Sequence, residues 1–551
     1  MNKTPFHLIT ISLVILLSAC GGGDNLSQVD AGNQEGVLHL GNGTEPQGLD
    51  PHIVTGVPEH HIINALFEGL VSKDPNTLEP IPGVAESWEI SEDGRIYTFN
   101  LREDAVWSNG ESVTAGDFLW SWERVLSPEL GGQYNYMLYP VLNAEAFANG
   151  EITDFSLVGA KALDDRTFEV TLQNPTPYLL QLLDHYSTFP VHPETVLAHG
   201  GMSDRISRWT RVENIVTNGP FTLAEWEINS HIRVEKSDIY WDAGNVRLNA
   251  IMYYPTENLV TEERMFRDEQ IHMSNDIPID KVPVYLENQP ELIDIAPYIG
   301  SYFYGINITR EPLDDVLVRK ALSLAIDREL LIETVLEGVM APAYTLTPPG
   351  TKGYHPPIIF DYDPEEARSL LAEAGYPDGE GFPSFEILYN TQENHRRIAV
   401  AIQQMWRQEL NINVQLTNQE WRVYLDSQLN MNYDIVRRGW IGDYVDPNTF
   451  LDMFITEGGN NKTGFSNTRY DEIIQREAPR MLDQNERYAL YSEAERILIE
   501  EMPIIPIYIY QSKHLKHPSV KGLPANIMDY YNWKYVYLEP VESFEISDAI
   551  E

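Results

Sequence analysis

Apolar and polar residues alternate strictly in YTFNLR, with Tyr97, Phe99 and Leu101 apolar, and in TFEVTL, with Phe168, Val170 and Leu172. A period of two over such a length predicts two half-buried strands. In DDVLVRKALSLAIDRELL the apolar residues Val318, Ala321, Leu322 and Ala325 recur at helical spacing, with charges on the other faces. The stretch DPEEARSLLAEAGY predicts a helix marked at both ends. Asp363 is placed to cap it, Pro364 suits its first turn, Glu366 holds the capping-box position, and Gly375 can take the left-handed closing conformation. A further helix around YSEAERILIEEM should stop at Pro503, before the apolar strand IIPIYIY. These strand and helix patterns alternate without any repeat of roughly 20 to 50 residues, which argues against a solenoid, a propeller or a pure barrel and for α/β domains with mixed sheets.

The N-terminus reads differently. Lys3 precedes an apolar run, Leu8 to Leu17, that is too short to span a bilayer and ends in LSAC, Leu17 to Cys20. This predicts a signal peptide over residues 1–19, cleaved before a lipidated Cys20. Residues 20–36, rich in glycine and small polar side chains, are expected to form a flexible tether with a reach of about 20 to 25 Å. Cys20 is the single cysteine of the chain, so no disulfide can form within it. The expected location is extracytoplasmic, lipid-anchored to a bacterial membrane, and periplasm-facing in a host with two membranes.

Charge narrows the partners. The 551 residues carry 83 acids against 38 bases, a formal net charge of -45, which disfavours attraction to nucleic acid or to an anionic bilayer. The 14 histidines fall in no H-E-x-x-H or Cys/His metal pattern, and there is no G-x-S-x-G elbow, Walker loop or G-x-G-x-x-G turn. The expectation is a protein without cofactor or metal that is not an enzyme. One enzymatic alternative stays open: a surface glycoside hydrolase using Asp443 and Asp446 as its acid pair. Against it, Asp446 precedes Pro447 and is better placed to start a helix through PNTFLDMF.

Asp446 closes the densest cluster of the chain, RRGWIGDYVDP, which joins two arginines, a tryptophan and two acids around two glycines. Together with GNGTEPQGLDPH, PGVAESWEISEDGRIYTFNLREDAVWSNGESVTAGDFLWSW, VTNGPFTL, FYGINITREPLDDVLVRKALSLAIDR, LLAEAGY and NQEW, in that order before it, this cluster resembles the bacterial extracellular solute-binding proteins of family 5, closest to the oligopeptide-binding lipoproteins of ABC transporters. The resemblance implies a two-lobed clamshell with an extra domain. Lobe I would comprise 37–70, 193–295 and 510–551, the extra α/β domain 71–192, and lobe II 296–509. It also implies an oligopeptide ligand swallowed between the lobes, a monomeric receptor, and delivery to an ABC permease and its ATPase.

Residue by residue, the resemblance places Asp443 against the peptide's ammonium. The backbone at Gly439, Trp440 and Ile441, and at Thr55, Gly56 and Val57, would pair with peptide amides, and the glycines are expected to leave that backbone unobstructed. Trp440, Trp421, Tyr298 and Tyr134 would line side-chain pockets, and Arg437 with His395 would meet the far carboxylate. The chain also departs from the family pattern. Leu336 stands where relatives carry a lysine, Arg438 fills a place that is ordinarily small, and Gly300 and Ile441 replace a cysteine pair found in some relatives. Other ligands on the same fold (a murein peptide, an oligosaccharide or a metal complex) remain alternatives, as does an adhesin using the clamshell as scaffold.

Overall fold

The computed structural model describes residues 26–481, 483–541 and 546. YTFNLR and TFEVTL form strands Ile96–Leu101 and Thr167–Thr171, paired antiparallel with Phe99 opposite Phe168. Their alternation does what the pattern requires: Tyr97, Phe99 and Leu101 are buried and the residues between them are not. The four-stranded sheet they belong to runs Ala85–Ile90, Ile96–Leu101, Thr167–Thr171, Ala160–Ala162. Helix Ala115–Leu126, closed at its start by a Thr114/Asp117 capping box, lays Phe118 and Trp122 against Phe168.

A second four-stranded sheet starts from β1 (Val37–Gly41), which pairs parallel with Ala250–Tyr254 and continues through His231–Lys236 to Phe221–Glu227. Ahead of β1 the structure corrects the expected tether. Residues Gln28–Glu35 form a helix, α1, capped by the Ser27 hydroxyl on the Asp30 amide and closed by Gly36 at φ 70°. Val29 is buried, and its amide donates to the Glu269 carbonyl at 2.9 Å. A Cβ on Gly32 would stand 2.4 Å from the Val37 carbonyl oxygen, so the helix lies directly on the chain that follows it. From residue 28 onward the segment is part of the folded body. The expected signal peptide, Cys20 and the first tether residues lie outside the described residues.

The largest sheet has three long strands at its middle, β2 (Ile293–Ile306), β3 (Ile435–Ile441) and β4 (Ile504–Leu515). Its order is Ala341–Pro342, β4, β2, β3, Phe385–Asn390, Val414–Gln419. β2 and β4 run antiparallel over almost their whole length, with a break in register between Pro297 and Ser301. The domain boundaries expected at 295/296 and 509/510 fall inside this ribbon, so neither lies in a loop. Near its far end Met273 bridges both Leu40 of β1 and Lys516, just past β4, tying the ribbon to the first body.

The other predicted helices appear with informative differences. DDVLVRKALSLAIDRELL is broken into Val316–Leu324 and Arg328–Val335, each with its own aspartate cap, Asp315 and Asp327. Val318, Ala321, Leu322 and Ala325 are all fully buried. Helix Pro364–Glu373 is capped by Asp363 on the Glu366 amide, and Gly375 follows at φ 98°. The last long helix, Gln484–Glu501, ends with Met502 at φ 48° immediately before Pro503 and β4. No helix of the described residues is long and apolar enough to cross a membrane.

Candidate ligand-binding site

Where β3 runs out, its neighbours open a cavity of about 690 Å³, within the range of pockets that enclose small ligands. All twelve ligand-contacting residues expected from the sequence line it: Thr55, Gly56 and Val57 on one wall, Tyr134 and Tyr298, then His395, Trp421, Arg437, Gly439, Trp440, Ile441 and Asp443 opposite. Asp446 does not line it. Its carboxylate is fully buried, bound to Arg487 at 2.8 Å and to the Asn448 amide at 3.2 Å, at the start of helix Asn448–Leu451. The two acids of the cluster therefore serve different surroundings and do not form a pair facing one substrate.

Asp443 is held by its own backbone, whose amide donates to the Thr449 hydroxyl at 2.9 Å. The side chain is only 12 % exposed, and one carboxylate oxygen, Oδ2, has no hydrogen-bond partner. The other lies 3.5 Å from His185 Nε2, but burial and then the Lys73 charge push the His185 pKa well below its usual value, so this neighbour is neutral. Burial raises the Asp443 pKa to about 8, against a partial opposing pull from Lys73. Lys73 itself is occupied, 2.8 Å from Asp184. A buried carboxylate with a free oxygen and no counter-ion is costly to the protein alone and becomes favourable when a cation arrives.

At the other end of the strand Arg437 donates to the Tyr510 hydroxyl at 2.6 Å and to Asn390 Oδ1 at 3.4 Å, and its guanidinium lies 4.9 Å from the centre of the Tyr302 ring. Its Nε has no partner. His395, beside it, is buried and neutral, its pKa held well down by burial and then by Arg437 and Lys513; its Nδ1 is likewise unpartnered. Leu336 is buried in the cavity wall and brings no charge.

Between these poles the backbone is open on one side. β3 pairs with β2 along its length, but strand Phe385–Asn390 pairs with it only as far as Val436. The Tyr424 hydroxyl bonds the Arg437 carbonyl on that free side. Strand alternation then turns the N–H and C=O groups of Gly439 and Ile441 the same way. The glycines also have a reason in the protein's own packing. A Cβ on Gly439 would lie 2.6 Å from the Tyr510 hydroxyl, the group that holds Arg437, and one on Gly56 would lie 2.0 Å from Glu59 Oε2. Gly300, directly opposite Ile441, leaves room for the isoleucine side chain.

The aromatic residues close the walls. Trp440 donates its indole N–H to the Thr449 carbonyl at 2.6 Å and faces Tyr134 at 6.2 Å between ring centres. Trp421, the first residue of α2 (Trp421–Leu429), stacks on Tyr424 and leaves its indole nitrogen unpartnered beside Gly56. Sequence reasoning did not single out the ion pairs that also line the cavity: Lys73 with Asp184, Lys513 with Asp276 at 2.7 Å, and His514 with Asp529 at 2.9 Å. Each joins residues far apart in the chain or isolated in it, so local spacing carries no signal for them. Among the described residues no group of three or more histidine, cysteine or acidic side chains is placed to hold a metal ion.

Comparison with known proteins agrees over nearly the whole length. The model of the bacterial extracellular solute-binding proteins, family 5 (middle), matches residues 79–462. The periplasmic oligopeptide-binding protein OppA of Salmonella typhimurium is 37 % identical over 533 residues, covering 95 % of this chain and 96 % of the relative. The structure of Haemophilus influenzae OppA in complex with RPPGFSPFR superposes with a TM-score of 0.85 at 33 % identity, covering 92 % of this chain and 99 % of the other. The Escherichia coli murein tripeptide-binding protein MppA superposes at 0.87 with 34 % identity, covering 91 % and 98 %. Its unliganded open form, at the same identity and covering 92 % and 98 %, reaches only 0.63. Those two structures share one sequence, so the gap measures the arrangement of the parts, and the present chain does not have the open arrangement.

Proposed function

The chain belongs to the bacterial extracellular solute-binding proteins of family 5, and from that premise we propose that it captures oligopeptides between its two lobes and hands them to an ABC permease. The observation that carries this reading is the Asp443 carboxylate: almost wholly buried, lacking a counter-ion, with one oxygen free, and lining the cavity. A peptide's ammonium is the complement of that group. Docking it there converts an acid that burial keeps protonated into an ionised partner in a short charge-assisted hydrogen bond. Arg437 lies six residues away along an extended chain, at most roughly 20 Å, so a peptide of a few residues can touch both poles. The open edge at Gly439 and Ile441 offers its amides the pairing they lose on leaving water.

In this reading the receptor acts as a monomer, performs no bond chemistry, and is held at the membrane through lipidated Cys20 after signal-peptide cleavage. The test of the ammonium anchor is calorimetry with matched peptides, one with a free amine and one N-acetylated. Acetylation is expected to weaken binding by about 2 to 5 kcal/mol. Equal affinities would end the assignment of Asp443. Mass spectrometry of the mature N-terminus tests the anchor, which requires a diacylglyceryl cysteine as its first residue.

A further inference from the structure

The charges on the cavity wall do not balance internally. Asp184, Asp276 and Asp529 are each matched by a base of the same wall, and Asp426 is exposed and accepts from the Asn430 amide. That leaves Asp443 as the buried acid without a counter-ion. The bases leave more behind. Arg437 bonds only neutral groups, and of the four further lining cations outside the ion pairs, Arg205 and Arg422 are exposed while Arg438 and Lys462 are withdrawn from water.

Arg438 is 6 % exposed and donates to the Asn460 carbonyl at 3.0 Å, with its guanidinium 5.8 Å from the centre of the Phe303 ring. Lys462 is half-buried, and burial followed by the neighbouring Arg438 charge lowers its pKa. Among the described residues no carboxylate lies within ion-pair distance of either. Two adjacent cations withdrawn from water without an anion are unfavourable twice over, by desolvation and by mutual repulsion. In a chain with 83 acids and 38 bases, an acid to pair them was the most available residue type.

We propose that Arg438 and Lys462 form a subsite for a carboxylate side chain, so that the protein selects acidic oligopeptides. The complement of the unpaired charges withdrawn from water is one ammonium at Asp443, one main-chain carboxylate at Arg437, and an aspartate or glutamate side chain at Arg438 and Lys462. Leu425 and Leu429 of α2, which also line the cavity, supply an apolar wall for the side-chain stem. The proposal rests on the oligopeptide reading and adds to it a preference at one position.

The experiment is calorimetry of the full-length mature protein with alanine pentapeptides carrying a single Glu or Gln at position 2, 3 or 4. At one of these positions Glu is expected to bind about tenfold more tightly than Gln or better. In Arg438→Ala/Lys462→Met that ratio is expected to collapse to about twofold or less. Equal binding of Glu and Gln peptides at every position, with the peptides still bound, overturns the acidic subsite and leaves the oligopeptide reading standing. Failure of every free-amine peptide to bind overturns both. A Glu preference undiminished in the double variant overturns the assignment to these two residues. The wild-type comparison needs no variant and decides the acidic preference; where the double variant does not fold, Lys462→Met alone, at the half-buried position, is expected to reduce the ratio at least threefold, and an unchanged ratio there overturns the assignment.

Discussion

Asp443 and Asp446 are three residues apart, one 12 % exposed and the other fully buried, and they are handled in opposite ways. Asp446 is matched inside the chain by Arg487 and by the amide of the helix it starts. Asp443 has a neutral histidine on one side and an unpartnered oxygen on the other. A core must satisfy its charges from its own sequence, because nothing else will arrive; a binding cavity gains by leaving them unsatisfied, because the ligand's affinity is drawn from the same unmet demand. The lesson extends along β3, where Arg437 bonds only a tyrosine and an asparagine.

The contrast can be broken by exchanging the two situations. Arg487→Met strands Asp446 and should destabilise the protein by about 3 to 5 kcal/mol in urea unfolding; a loss below about 1 kcal/mol would mean that the core pair is not structural. Asp443→Asn should do the reverse, leaving stability in the absence of peptide unchanged or higher while weakening a free-amine peptide by about 2 to 5 kcal/mol. Between these lies Gly439→Ala, whose Cβ has to displace the Tyr510 hydroxyl and with it the support of Arg437. A cost of about 1 to 3 kcal/mol is expected, from overpacking, and a crystal structure of the variant should show Tyr510 displaced.

The same contrast has a dependence on pH. Burial raises Asp443 to about 8, whereas in an unfolded chain it titrates near 4. The folded, empty protein therefore keeps a proton that the unfolded chain has lost. That contribution is complete below about pH 4 and disappears as pH rises to about 8. Between pH 5 and 8, those two values put the gain of Asp443→Asn on the wild type at about 3 to 4 kcal/mol at most. A difference that does not change with pH would remove the burial argument.

Much of the fold was legible because burial leaves a period. Phe99 and Phe168 announce their strands, and Val318 and Leu322 their helix. The break at Asp327 was not, since the apolar residues continue through it and only the cap reveals a second start. The segment 28–35 was misread because its composition is that of a linker; its helix depends on one buried side chain, Val29, and on a glycine that lets it lie against β1, both tertiary effects. In the site, Asp443 and Arg437 stand in a recognisable local pattern. Tyr510 does not: IIPIYIY is apolar on both faces, so nothing in it tells that the face carrying Tyr508 and Tyr510 turns toward the cavity. Lys73 and Asp184 meet only through the folding of the 110 residues between them.

The β2–β4 ribbon has a mechanical meaning. A pair of hydrogen-bonded strands strongly resists stretching and sliding, since either motion breaks rungs of its ladder, but it twists at little cost. At Pro297 the ladder is already interrupted, and proline has no N–H to lose there. The register shifts again between Tyr302 and Phe303, so a twist of the ribbon is expected to gather between Pro297 and Phe303, on the stretch of β2 that carries Gly300 opposite Ile441.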